Sequence, residues 1–100
     1  MIAVVLMTIL SADPDAEAAR LFAEARAAMK VNAWDVACPR LEASRRLKPT
    51  IGTLLNLGVC LQNQQKPSGA FEAFTQAQAL ARSAGDEARA TYAARQAELL

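Results

Sequence analysis

Ala37-Cys38-Pro39-Arg40-Leu41-Glu42-Ala43-Ser44-Arg45-Arg46-Leu47 (37–47) has a counterpart thirty-three positions on, Ala70-Phe71-Glu72-Ala73-Phe74-Thr75-Gln76-Ala77-Gln78-Ala79-Leu80 (70–80). Ala37 aligns with Ala70, Leu41 with Phe74, Ser44 with Ala77 and Leu47 with Leu80, and one helix earlier Ala25 aligns with Gly58 at the same offset. Small residues recur where helices must approach closely, and large ones recur where they fill the gap. That constant spacing is the mark of stacked helical hairpins. An ordinary alanine-rich bundle would explain the apolar faces but gives no reason for the two size classes to keep one period.

Working outward, the remaining segments fit the same plan. Asp13-Pro14 predicts a helix start, because a short carboxylate accepts orphan backbone N–H groups and proline sits where its missing donor costs nothing. Helix one should run to about Val31, with Leu21, Phe22, Ala25, Ala28 and Met29 on one stripe, and Asn32 should break it. A second helix spans about Trp34 to Leu47 and is closed by Pro49; Pro39 should bend or tighten its start. A third covers about Gly52 to Gln64, with Leu54, Leu57, Gly58 and Leu61 on one face. Gly58 there sacrifices about 1 kcal/mol of helix preference and so needs a packing reason. The fourth opens at Lys66-Pro67 and is expected to turn Ala70, Phe71, Phe74, Ala77, Leu80, Ala81 and Ala84 inward. Gly85 and Asp86 reset the chain for a weaker capping helix to Leu100. The expectation is an all-α domain of antiparallel hairpins over residues 13–100, with repeats at about 18–50 and 51–83 and a partial helix at 86–100.

Composition narrows the function. One hundred residues allow one small domain, too small to enclose a deep catalytic cavity and keep a core around it. A net charge of +1 argues against a nucleic-acid binder working through a basic field, and there is no aromatic-basic interleaving. Histidine, the commonest acid-base residue and metal ligand, is absent. No nucleophile, base and orienting group can be assembled, and Glu24, Glu42 and Glu72 read as solvated. Neither an enzyme nor a cofactor is expected. Alanine occurs 23 times, which agrees with a helical chain.

Met1 to Ala12 is almost wholly apolar and gives way abruptly to Asp13, Asp15 and Glu17. The run is short of the roughly 20 residues that cross a bilayer but fits the apolar part of an export signal, with small Ser11 and Ala12 near a cleavage point. No Lys or Arg precedes it, and the alternative is a hydrophobic segment packed on the domain. An exported or periplasmic location is weakly favoured over the cytoplasm. Membrane contact is expected only through this segment if it is uncleaved.

On these residues the chain resembles the tetratricopeptide repeat family. Ala25, Ala37, Leu41, Ser44 and Pro49 fall on the pattern in repeat one. Gly58, Ala70, Phe74 and Ala77 fall on it in repeat two, with Leu80 repeating Leu47. The departures are a period of thirty-three instead of 34, alanine at Ala25, and no proline near Arg82. The stretches 37–44 and 52–58 look like a bacterial branch seen in exported proteins. The resemblance implies a short right-handed α-solenoid that acts as a scaffold, binding a protein or peptide partner on the inner face of each first helix. Carried over, the groove candidates are Phe22, Arg26, Met29 and Lys30, then Leu55, Asn56, Val59, Gln62 and Asn63, then Arg89, Tyr92 and Arg95. Arg26 and Lys30 lie one turn apart and could face a carboxylate; Asn56 and Asn63 could satisfy an extended backbone. The plainer reading is a solvated face. The alternative function is a structural terminal piece, or self-associating cap, of a longer solenoid.

Repeat one, Ala18 to Thr50, holds seven basic and three acidic side chains, whereas the opening seventeen residues are net −3. Arg40, Arg45, Arg46 and Lys48 could meet an acidic partner or anionic lipid, but complementing the carboxy-terminal end of helix two is the simpler explanation. Cys38 and Cys60 have no metal-ligand spacing. They read by default as buried free thiols, with a disulfide reopened if the chain is exported.

Overall fold

The computed structural model describes residues 13–100; both readings of the apolar run at 1–12 concern residues outside that range. The described residues form five α-helices and no strand: α1 (Pro14–Lys30), α2 (Trp34–Leu47), α3 (Ile51–Asn63), α4 (Pro67–Ser83) and α5 (Glu87–Glu98).

Their boundaries follow from local chemistry. Asp13 caps α1 by accepting from the backbone N–H groups of Asp15 (3.0 Å) and Ala16 (3.3 Å), with Pro14 in the first turn. Thr50 and Asp86 cap α3 and α5 in the same way, through the N–H groups of Thr53 and Arg89 at 3.1 Å each. The first helix of each hairpin ends on a residue in the left-handed region, Asn32 (φ 59°) and Gln65 (φ 58°). In both, the next backbone N–H reaches back across the last turn: Ala33 donates to Ala28 and Lys66 to Leu61, each at 2.9 Å. This is a Schellman closure, and it recurs at the thirty-three-residue offset. Gly85 (φ 74°) closes α4 likewise, Asp86 donating to Ala81 at 2.8 Å. Pro39 lies inside α2 without ending it. The carbonyl its ring leaves without an amide partner is that of Asp35, on an exposed residue where water can satisfy it.

Each helix packs on the next in sequence, and α1 also meets α3. The directions alternate. Ser44 of α2 donates to the Ala18 carbonyl (2.9 Å), while Arg40, one turn earlier in α2, reaches Glu24 further along α1 (3.0 Å). The main core is supplied by Ala25 and Ala28 of α1, Ala37 and Leu41 of α2, Leu57 of α3 and Ala73 of α4, with Trp34 packed against it. A second cluster joins Ala70 and Phe74 of α4 to Ala97 of α5, and a third joins Leu54, Ala77 and Ala93.

The packing reason for Gly58 is explicit. A Cβ there would lie 2.6 Å from two carbons of the fully buried Phe74 ring. At the equivalent place in the first hairpin the pair is Ala25 and Leu41, so the bulkier helix-four residue is matched by the smaller helix-three one.

Several expectations are corrected. Cys38 and Cys60 are not free thiols; they form a disulfide between α2 and α3, with Cα atoms 5.7 Å apart. Phe71 is 51% exposed and Leu80 36%, and Ala84 is also exposed, whereas Ala73 takes an interior place. Phe71 and Leu80 stand at the edges of the α4 stripe and not at its centre: Phe71 borders a shallow hollow with Leu100, and Leu80 borders one with Pro49 and Leu54 on the α3 side. Leu47, which Leu80 repeats, is exposed to a similar degree (42%), so the equivalence survives even where the inward orientation does not.

Candidate peptide-binding groove

Five of the twelve groove candidates come together. Met29 of α1, Leu55, Asn56 and Val59 of α3, and Tyr92 of α5 line a shallow concavity of about 140 Å³. Helical spacing explains the set, because Leu55, Asn56 and Val59 fall within one turn and form a single patch on α3. The apolar members have a second role: Met29, Leu55 and Val59 also pack against the core clusters. Asn56 and the half-exposed Tyr92 supply the hydrogen-bonding groups.

The asparagines are partly engaged. Asn56 Nδ2 donates to the Gly52 carbonyl (2.7 Å) and Asn63 Nδ2 to the Val59 carbonyl (2.9 Å), each one turn back on its own helix. This fixes the amide orientation and leaves each Oδ1 and one N–H for a ligand. Gln62 is half-buried, on the same helix, which carries no charged residue at all.

Charge enters from the flanking helices. Arg26 lies 6.0 Å from the centroid of the Phe22 ring, a cation–π contact within α1, and Lys30 is exposed one turn further on. On α5, Arg95 is exposed, whereas Arg89 is ion-paired: its Nε donates to Asp86 at 2.6 Å. That guanidinium, with the Arg89 backbone N–H, holds the Asp86 carboxyl below its ordinary value. Phe22 does not line the groove. It faces Gly52 and a separate cleft of about 260 Å³, bounded by Asp15, Ala19, Lys48 and Thr50 among others, at the meeting of the start of α1, the end of α2 and the start of α3. Spacing along single helices carries no signal for that cleft, since it exists only where three helix ends converge.

Of the four basic residues Arg40, Arg45, Arg46 and Lys48, three are ion-paired. Arg40 pairs with Glu24, Arg45 with Glu42 (2.8 Å), and Lys48 with Asp15 (3.3 Å). Glu24 and Glu42 are therefore ion-paired and not merely solvated, as the sequence had suggested. Glu24 also accepts from Arg20, which pairs with Glu17 as well. The hydrogen bond from Arg40, and then that from Arg20, keeps the Glu24 carboxyl below its usual range; Arg20 does the same for Glu17 and is itself held more firmly protonated.

Among the described residues, no cluster of His, Cys, Asp and Glu has metal-binding geometry, and no helix is long and apolar enough to cross a membrane. No family model, curated protein or solved structure matches the chain.

Proposed function

We propose that this chain is a non-enzymatic protein- or peptide-binding scaffold module of tetratricopeptide-repeat type: two hairpin repeats and a capping helix in a short right-handed solenoid. The observation that carries the reading is the concavity shared by Met29, Leu55, Asn56, Val59 and Tyr92, because it draws on α1, α3 and α5, the first helix of each successive unit. An extended peptide laid across it would set apolar side chains against Leu55 and Val59 and hydrogen-bond the free amide groups of Asn56 and Asn63. Arg26, Lys30 and Arg95 add positive charge on the flanking helices.

Selection of a displayed random-peptide library on the purified chain tests this. Selected peptides should lose at least about tenfold in affinity to Asn56→Ala/Tyr92→Ala, roughly the value of one buried hydrogen bond or aromatic contact, and keep it with Gln76→Ala on α4. Peptides indifferent to the double substitution would overturn the groove.

The second reading, a self-associating cap of a longer solenoid, is favoured by the apolar side chains exposed toward the α4–α5 end: Phe71, Leu80, Leu99 and Leu100. Sedimentation over a concentration series separates the two, since a monomer throughout removes self-association. We further assign the module to an oxidising compartment. A disulfide in a small domain and an apolar run of export-signal composition at 1–12 both support that assignment.

A further inference from the structure

The disulfide lies inside the fold. Cys38 is 4% exposed and Cys60 0%, and both belong to the main core cluster, where α1, α2, α3 and α4 all contribute side chains. Ala37 and Leu41 flank Cys38 on α2, Leu57 precedes Cys60 by one turn on α3, and Trp34 packs on the same cluster. A reagent that exchanges thiols must reach a sulfur atom along the line of the bond being broken, and burial this deep obstructs that approach once α3 has closed on α2. The bond joins helices of different hairpins, twenty-two residues apart in sequence, and making it takes two electrons from the cysteine pair, so an oxidant must reach the sulfurs before the joint closes.

We propose that Cys38 and Cys60 are an oxidation site for a disulfide donor, used while the joint between α2 and α3 is still open and sealed when the two hairpins close. One cysteine thiolate attacks a sulfur of the donor disulfide and releases the first donor thiol, leaving a mixed disulfide. The second cysteine thiolate then displaces the other donor thiol. The chain loses two electrons and two protons, and both leave on the two donor thiols. The donor is the disulfide form of a dithiol–disulfide carrier, or glutathione disulfide, in an oxidising compartment. In this the inference rests on the compartment assigned above. The bond is then a permanent staple and not a redox switch, because a reductant meets the same closed joint.

The test uses the intact oxidised chain with dithiothreitol, counting alkylated thiols against time by mass. Access to the closed joint is the same for making and breaking the bond, so reduction in buffer should be at least about 100-fold slower than in urea, the protection expected when reaction waits on opening. Leu57→Ala, which weakens the packing beside the bond, should speed reduction in buffer by about tenfold or more. Reduction in buffer as fast as in urea would overturn the proposal. A separate measurement addresses the compartment: chain taken from its source cell, quenched in acid and alkylated, should carry no free thiol. Two free thiols there would sink the oxidising compartment and with it the natural oxidation step, while slow reduction of the chain oxidised in vitro would still show the sealed joint.

Discussion

Replacing Gly58 with alanine sets two known effects against each other. Alanine favours the helical backbone by about 1 kcal/mol over glycine, so on propensity alone G58A should stabilise α3. Its Cβ, however, would sit 2.6 Å from Cε1 and Cζ of Phe74 and 2.8 Å from Cδ1, against the roughly 3.5–4.0 Å of an optimal carbon contact. The ring is wholly buried, so relief needs a shift of about 1 Å by the ring or by one of the two helices. Overpacking costs about 1–3 kcal/mol, and an overlap this deep against a wholly buried ring belongs in the upper part of that range, about 2–3 kcal/mol, which leaves a net loss of about 1–2 kcal/mol, or roughly 5–15 °C in Tm for a domain of this size. The first hairpin supplies the remedy, since Ala25 there opposes Leu41. G58A/F74L should therefore be less destabilised than the sum of its single substitutions by at least about 1 kcal/mol, a coupling within the range found for residues in contact. Urea unfolding followed by circular dichroism and by the emission of Trp34, the single tryptophan, measures all four corners of the cycle. A G58A variant as stable as the parent, or strictly additive effects, would refute the explanation of why this helix carries a glycine.

C38A/C60A should lose about 3 kcal/mol, the chain entropy returned by opening a loop of this length, and its Tm should fall by roughly 12–25 °C; a fall within a few degrees would mean that the packing alone holds α2 to α3. Gln65→Gly should stabilise by about 1 kcal/mol, since glycine removes the steric cost of the left-handed conformation at φ 58°, and a thermal melt showing no gain would contradict the backbone geometry. Glu17, Glu24 and Asp86 have carboxyls held below their unfolded values, so their contribution is complete above those values and is lost as pH falls through the lower folded ones. With no histidine to titrate, Tm should stay level between about pH 5 and 8 and decline below about pH 4, by an amount that 0.5 M salt reduces because the pairs are solvent-exposed. A step near pH 6 would contradict that assignment.

How far the fold was legible in the sequence depended on whether one element or several determined the outcome. Asp13-Pro14, Asn32, Lys66-Pro67 and Gly85 act within a single turn, and each stands at a helix end. The thirty-three-residue offset was equally visible, because size complementarity within a hairpin leaves matched pairs such as Ala25 with Leu41. Gln65, a residue that rarely takes positive φ, was not marked as the counterpart of Asn32, though their positions in the period are the same. Phe71 and Leu80 were misjudged because helical spacing defines a stripe and says nothing of which of its residues stand at the edges. The disulfide stood in the sequence only as the alternative that export would reopen, since the approach of Cys38 to Cys60 is set by how α3 docks on α2. For the groove, the candidates carried over from the resemblance include the patch on α3 together with Met29 and Tyr92, which the structure brings to one concavity. The resemblance did not reveal that Arg89 pairs with Asp86, nor that Phe22 turns toward another cleft.

The covalent link between α2 and α3 also changes how the chain would carry a load. A pull applied to its two ends passes from residue 38 to residue 60 through the bond, and the intervening segment, which holds the end of α2 and the start of α3, bears none of it. Twenty-two residues drawn out fully would span about 75 Å, so stretching the oxidised chain should release that much less length, apart from the few ångströms across the link itself. Asn56 and Val59 lie inside the shielded segment, whereas Met29 and Tyr92 lie outside it. Tension would therefore part the groove along its α1 and α5 sides while its central patch kept its covalent tether.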